Sequence, residues 1–291
     1  MLLKEARVIT AIITPFTADN KIDFPALETL TNHLLAHGSD GFVIGGTTGE
    51  GATMSDQEKI ELYREFVKIV AGRGPIIANI GTNNTAATIE FGQKVAQIPG
   101  IDGALAVVPY YNKPNQKGLI AHFTAIADNV DLPLMVYNIP GRSTVKATVD
   151  TILTLAKHPR ITALKQCTDL DELAAIIENA PADFAVYTGE DGQALAAKAL
   201  GTVGVVSVAS HLYGDEFQAL FTALDAGDVA EAGRIQRFLN PKVATLFSYP
   251  SPTPVKAALT AAGFATGGVR LPLVDLDDVE TAEILEKLEK N

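Results

Sequence analysis

Cysteine is almost absent from the 291 residues: Cys167 stands alone. An internal disulfide is therefore excluded, and a reducing compartment fits the chain. Basic residues are in deficit, 23 Lys and Arg against 34 Asp and Glu, for a net charge of −11. That balance repels phosphate backbones and anionic lipid, which sets aside nucleic acid and acidic membrane surfaces as partners. It leaves small anionic substrates open, because these answer to local charge. No uncharged apolar run reaches the length of a membrane span. Met1-Leu2-Leu3-Lys4-Glu5-Ala6-Arg7 carries charges where a signal peptide needs its apolar stretch. A cytoplasmic location is expected. Histidines number five and are scattered, except for His33 and His37 at helical spacing, where the intervening Leu34-Leu35-Ala36 lacks a metalloprotease glutamate. A metal-dependent aldolase is disfavoured.

The composition present is that of an ordinary globular chain, 47% apolar and 20% charged. Short apolar runs rich in Val and Ile recur between amphipathic stretches: Val8–Ile13, Gly41–Ile44, Ile76–Ile80, Gly103–Val108, Leu134–Tyr137, Ile161–Lys165, Phe184–Tyr187 and Val203–Val208. They read as parallel strands buried on both faces. Between them lie helical patterns, the clearest opened by the capping box Ser55-Asp56-Gln57-Glu58 and continued by Ile60, Tyr63, Phe66, Val67 and Val70. Eight βα units predict a (β/α)8 barrel, with a doubly wound sheet as the alternative. Beyond about residue 213 the strand signal stops. Helices are predicted over Glu216–Asp225, Asp228–Phe247, Pro254–Ala262 and Asp277–Lys290, with Tyr249–Pro254 as a rigid, Pro-rich connector. The expected organisation is a barrel over residues 1–227 and a small C-terminal helical domain over 228–291.

In a barrel, chemistry gathers at the C-terminal ends of the strands. Those ends carry Gly46-Thr47-Thr48-Gly49-Glu50 after strand 2, Pro109-Tyr110-Tyr111-Asn112 after strand 4, Tyr137-Asn138 and then Arg142 after strand 5, Lys165 on strand 6, Gly189-Glu190-Asp191 after strand 7, and Val206 on strand 8. Period-2 alternation puts Lys165 on the face of Ile161 and Ala163. If that face lines the lumen, desolvation lowers the amine's pKa and makes it a Schiff-base nucleophile. The alternative is a strand-end lysine whose stem snorkels to solvent. Tyr137 ends the neighbouring strand, where its phenol can move protons or simply fill the core. Thr47 and Thr48 sit in a Gly-rich turn that suits an anion, or is a plain turn. Arg142 suits a carboxylate, or is a solvated loop residue. The turn lacks the Lys-Ser/Thr of a P-loop. Glu190-Asp191 would repel a phosphate at the usual barrel phosphate site.

Taken in order, the blocks Gly46–Glu50, Pro109-Tyr110-Tyr111-Asn112-Lys113-Pro114, Tyr137-Asn138-Ile139-Pro140-Gly141-Arg142, Lys165 and Gly204-Val205-Val206-Ser207-Val208 resemble the dihydrodipicolinate synthase family over essentially the whole chain. The resemblance implies condensation of pyruvate with L-aspartate 4-semialdehyde in the lysine and diaminopimelate pathway. It implies Lys165 as the Schiff-base lysine and Tyr137 as proton donor and acceptor. Thr47 and Tyr111 would be the coupled relay, with Tyr111 reaching in from a neighbouring subunit. Thr48, the strand-8 backbone at Val206, and Gly189 would form the pyruvate pocket, and Arg142 would hold the semialdehyde's carboxylate. A homotetramer, a dimer of dimers, is implied as well, and no metal or organic cofactor is implied. Lysine-inhibited members carry His and Glu where Lys59 and Ala87 stand here, so weak or absent lysine feedback is expected. Two other readings remain open: another pyruvate-dependent aldolase, such as N-acetylneuraminate lyase or a 2-keto-3-deoxy-sugar-acid aldolase, and a non-catalytic keto-acid-binding barrel.

Overall fold

The computed structural model describes residues 5–290. Strands β1 (Val8–Ala11), β2 (Gly41–Ile44), β3 (Ile76–Asn79), β4 (Gly103–Val107), β5 (Leu134–Asn138), β6 (Ile161–Gln166), β7 (Ala185–Thr188) and β8 (Gly204–Ser207) close in sequence order into one barrel. Neighbouring strands are parallel throughout, and β8 pairs with β1 through Ile9↔Val206. This is the (β/α)8 architecture predicted, and the doubly wound alternative is set aside.

The helices α1 (Phe24–Ala36), α2 (Asp56–Val70), α3 (Thr85–Ala96), α4 (Gln116–Asn129), α5 (Pro140–Ser143), α6 (Val149–Leu155), α7 (Leu170–Asn179), α8 (Ala194–Leu200) and α9 (Ser210–Asp225) follow the strands. Helix α2 starts at the predicted capping box. The Glu58 N–H donates to Ser55 Oγ, and the Ser55 N–H donates to the Glu58 carboxylate. Its apolar stripe of Leu62, Tyr63, Phe66 and Val70 is buried. Helices α10 (Val229–Leu246), α11 (Thr253–Ala261) and α12 (Asp278–Lys290) form the C-terminal region, with α10 packed along α9 and against α12. We propose the division at Gly227-Asp228, where a left-handed glycine (φ 80°) breaks the chain and Asp228 caps α10. Helix α9 starts earlier than expected. Ser207 Oγ accepts the Ser210 N–H, and a non-helical Tyr213 joins this first turn to the long helix.

Strand pleating sorts side chains into two cores. Val8, Phe42, Ile44, Ile76, Ala104, Leu134, Leu164 and Val205 pack outward under the helices. Ile9, Val43, Ile77, Leu105, Met135, Ala163, Tyr187 and Val206 fill the lumen. One expectation is corrected here. Ile161 belongs to the outer core, not to the face of Ala163 and Lys165. The register slips between Leu134↔Ile161 and Met135↔Ala163, so β6 carries an extra residue at its start. That bulge resets the alternation, and Ala163 and Lys165 turn inward.

His211 ties β1 to the end of β8. Its ring accepts the Ile13 N–H at Nε2 (3.1 Å) and donates from Nδ1 to the Val208 carbonyl (2.7 Å). Both ring nitrogens are used by the neutral form, and burial pushes the imidazole pKa down to about 4. Because the folded pKa lies below the unfolded value near 6.5, the unfolded chain binds the extra proton between those limits. Stability on this account is full above pH 6.5 and falls as pH drops toward 4, by about 3 kcal/mol for this residue. Urea unfolding at pH 7 and pH 4.5 measures it. His211→Gln is expected to flatten the pH dependence while lowering stability at pH 7.

Candidate active site

Lys165 stands near the C-terminal end of β6, in register with Tyr137 on β5 and Tyr187 on β7. Its side chain is only 6% exposed, and Nζ lies 4.4 Å from the centroid of the Tyr137 ring. The snorkelling alternative is therefore excluded. Burial lowers the ammonium pKa and outweighs the opposing pull of Cys167, Asp191 and Glu190. Beside it, burial pushes the Cys167 thiol up to about 12, so no thiolate stands there to hold the lysine charged.

Gly189 is explained by space. A Cβ at this position would lie 2.6 Å from Lys165 Cε and 2.4 Å from Cys167 Sγ. Any side chain here would push the amine off its line.

The Tyr137 phenol is buried, which raises its pKa, and the Thr47 hydroxyl beside it opposes that rise only weakly. It is thus held in its protonated form next to a second hydroxyl. The loop carrying Thr47 is wound tightly. The Glu50 N–H donates to the Thr47 carbonyl and the Gly51 N–H to the Gly46 carbonyl, both at 3.1 Å. Thr14 Oγ1 donates to the Gly49 carbonyl (2.7 Å). Gly45 has φ 65°, and a Cβ there would meet the Tyr63 hydroxyl at 2.4 Å. The result splits the two threonines: Thr47 is exposed on the cavity wall, whereas Thr48 is buried.

A cavity of about 480 Å3 opens over this end of the barrel, with Thr47, Tyr110, Tyr137 and Arg142 in its wall. Arg142 lies in α5, and its charge is felt by both Tyr137 and Lys165. Val206 is buried in the lumen wall. The structure thus brings Lys165, Tyr137, Thr47, Arg142, Gly189 and Val206 to one end of the barrel. It does not bring Tyr111 there within one chain. Tyr111 has φ 72° and is 86% exposed, while its neighbour Tyr110 lines the cavity.

Two features are not legible in the sequence. By sequence, Asp191 reads only as a source of repulsion for phosphate. It turns inward instead, and its Oδ2 accepts the N–H groups of Val208 (3.1 Å) and Ala209 (2.9 Å). A carboxylate therefore already occupies amides beyond β8 that an anion would otherwise use. The second is the tail: Pro250 and Ser251, which read only as part of a rigid connector, and Pro272 and Leu273, which no motif marks, complete the cavity wall. Among the described residues no group of three or more His, Cys, Asp or Glu is placed to hold a metal ion. No helix among them is long and apolar enough to cross a membrane.

Residues 4–291 match the sequence profile of the Dihydrodipicolinate synthetase family. The chain is 57% identical to the 4-hydroxy-tetrahydrodipicolinate synthase of Limosilactobacillus fermentum, over 98% of this chain and 91% of that one. It is 50% identical to the enzyme of the same name from Ligilactobacillus salivarius, over 99% of both. Among solved structures, a dihydrodipicolinate synthase from Bacillus anthracis superposes with a TM-score of 0.96 at 42% identity, covering 99% of this chain and 98% of that one. The Acinetobacter baumannii dihydrodipicolinate synthase, solved in complex with pyruvate, gives 0.93 at 35% identity, with 98% of each chain covered.

Proposed function

Because the chain belongs to the dihydrodipicolinate synthetase family, we propose that this cavity condenses pyruvate with L-aspartate 4-semialdehyde to 4-hydroxy-tetrahydrodipicolinate. The observation that carries the reading is the buried Lys165 amine over the ring of Tyr137, whose phenol lies beside Thr47. A neutral amine attacks the keto carbon of pyruvate, water leaves, and an iminium forms. The positive nitrogen acidifies the methyl group, and loss of a proton gives the enamine. The enamine carbon attacks the aldehyde, and the new alkoxide takes a proton. The semialdehyde's own amine then displaces Lys165 and closes the ring.

Each stage moves a proton beside the phenol of Tyr137, the general acid and base. Thr47 passes protons to it, and Tyr111 of a second copy completes the relay. Thr48 and the strand-8 backbone at Val206 hold the pyruvate carboxylate, Gly189 keeps the amine's path clear, and Arg142 pairs with the semialdehyde's carboxylate. The exposure of Tyr111 supports a homo-oligomer, which we take to be a tetramer built as a dimer of dimers. Light scattering tests that. The single cysteine supports work in a reducing compartment, the cytoplasm.

The assay is direct. Purified protein is given pyruvate with L-aspartate 4-semialdehyde, and separately N-acetylneuraminate and 2-keto-3-deoxy-sugar acids. Condensation without sugar-acid cleavage is expected. Cleavage without condensation would replace this reading with the sugar-acid aldolase.

Feedback by lysine is expected to be weak. Lys59 lies in the cavity wall, its ammonium 2.7 Å from Asp56 and 4.1 Å from the Phe91 ring centroid. A cation placed there repels the inhibitor's ammonium groups, and Ala87 offers no acceptor for them. Initial rates against added lysine should show no submillimolar inhibition.

A further inference from the structure

We propose that Glu50, paired with Lys256 and Arg270, is the positioning unit through which the C-terminal region fixes the Thr47-Thr48 loop. The inference rests on the functional reading above and concerns residues to which that reading gives no chemical step.

Glu50 closes the loop that carries both threonines. Its backbone is left-handed (φ 54°), a conformation that non-glycine residues adopt only when held there. Its side chain is buried, and the carboxylate is the holder. One oxygen pairs with Lys256 Nζ at 2.6 Å, and the other accepts the Arg270 N–H at 2.8 Å. Lys256 comes from α11 and is buried too, with a second bond to the Gly268 carbonyl (2.8 Å). The Arg270 side chain returns to the barrel side, donating to the Thr53 carbonyl (3.2 Å) and to Glu58 of α2 (2.7 Å). Both cations lie over the Phe16 ring, at 4.4 Å and 4.3 Å from its centroid. The Phe16 N–H in turn donates to the Thr266 carbonyl. Barrel loop and tail thus meet around one buried carboxylate.

Stability gives little reason for such a pair. A buried ion pair is often no better than well-packed apolar groups of the same volume. What the pair adds is direction: two fixed donors from the tail determine where the carboxylate sits. The carboxylate determines the backbone at Glu50, and the Glu50 N–H holds the Thr47 carbonyl. A displacement of a fraction of an ångström at Thr48 or Thr47 is the kind of change that catalytic geometry does not tolerate. The same tail brings Pro272 and Leu273 into the cavity wall, so one anchoring point serves both the loop and the wall.

The test uses the full chain. Glu50→Gln leaves the Lys256 charge unpaired, so its melting temperature should fall. Glu50→Gln/Lys256→Met removes the charge as well, and its melting temperature should return close to that of the parent. Steady-state rates are measured at 25 °C, well below either transition. Both variants are expected to lose at least tenfold in kcat/KM for pyruvate, with a smaller change in KM for the second substrate. Lys256→Arg keeps a cation in reach and should stay within about threefold of the parent. A double variant that is as stable and as active as the parent would overturn the proposal and leave the pair a packing feature. Borohydride trapping of pyruvate on the parent protein runs beside these assays. Its absence there would count against the functional reading, whatever the variants do.

Discussion

Lys165→Met is expected to abolish condensation while leaving the barrel at least as stable as before. The amine lies over the Tyr137 ring and its chain runs past Gly189 in a buried lumen, where a charged group is costly and a thioether of similar length is not. Removing it takes away the nucleophile, so no iminium forms and the methyl group of pyruvate is no longer acidified. A loss of roughly 10^4-fold or more in kcat/KM is expected, the scale seen when a covalent nucleophile is removed. Calorimetry should show an unchanged or raised melting temperature. Loss of activity together with stability would instead point to a structural lysine. Loss of activity alone identifies a group kept in the lumen for chemistry, against the interest of the fold.

Tyr137→Phe separates binding from proton transfer. The ring stays, and with it the lumen packing and the contact with Lys165 Nζ. Only the hydroxyl beside Thr47 goes. A positioned acid or base contributes about 10^2 to 10^4-fold, so kcat should fall on that scale with little change in KM for pyruvate. Exchange of the pyruvate methyl protons with solvent deuterium should slow in proportion, because it needs the same base but no second substrate. Equal exchange rates in parent and variant would remove Tyr137 from the proton path. Burial holds the phenol well above its ordinary range, so activity should not decline near pH 10 through ionisation of this group.

How much of this was legible follows from which signals are local. Strand runs such as Gly41–Ile44 and Leu134–Tyr137 are visible because both faces are buried and the flanks are Gly, Pro or Asp. The capping box at Ser55 is visible because its hydrogen bonds close within three residues. Lys165 reads correctly as a strand-end residue, but alternation counted from Ile161 misleads, because the bulge turns Ile161 outward. A bulge depends on the partner strand's register, and a single strand's sequence does not carry it. Asp191 was seen as a charge, whereas its role depends on where the amides of Val208 and Ala209 lie in space. The tail's share in the site was hidden for the same reason: Glu50 and Arg270 are brought together only by the fold. Tyr111 lies at the other limit, since one chain leaves it exposed and its proposed place belongs to an assembly.

The account stands on an uncharged amine at Lys165 that forms a covalent bond with pyruvate. Incubation with pyruvate and borohydride, followed by peptide mass mapping, addresses it without any second substrate. The account predicts a reduced pyruvate adduct on the peptide that contains Lys165, with a trapping rate that levels off at a pH well below the ordinary lysine value of about 10.5. An unmodified Lys165 peptide, or an adduct on another lysine, would contradict it.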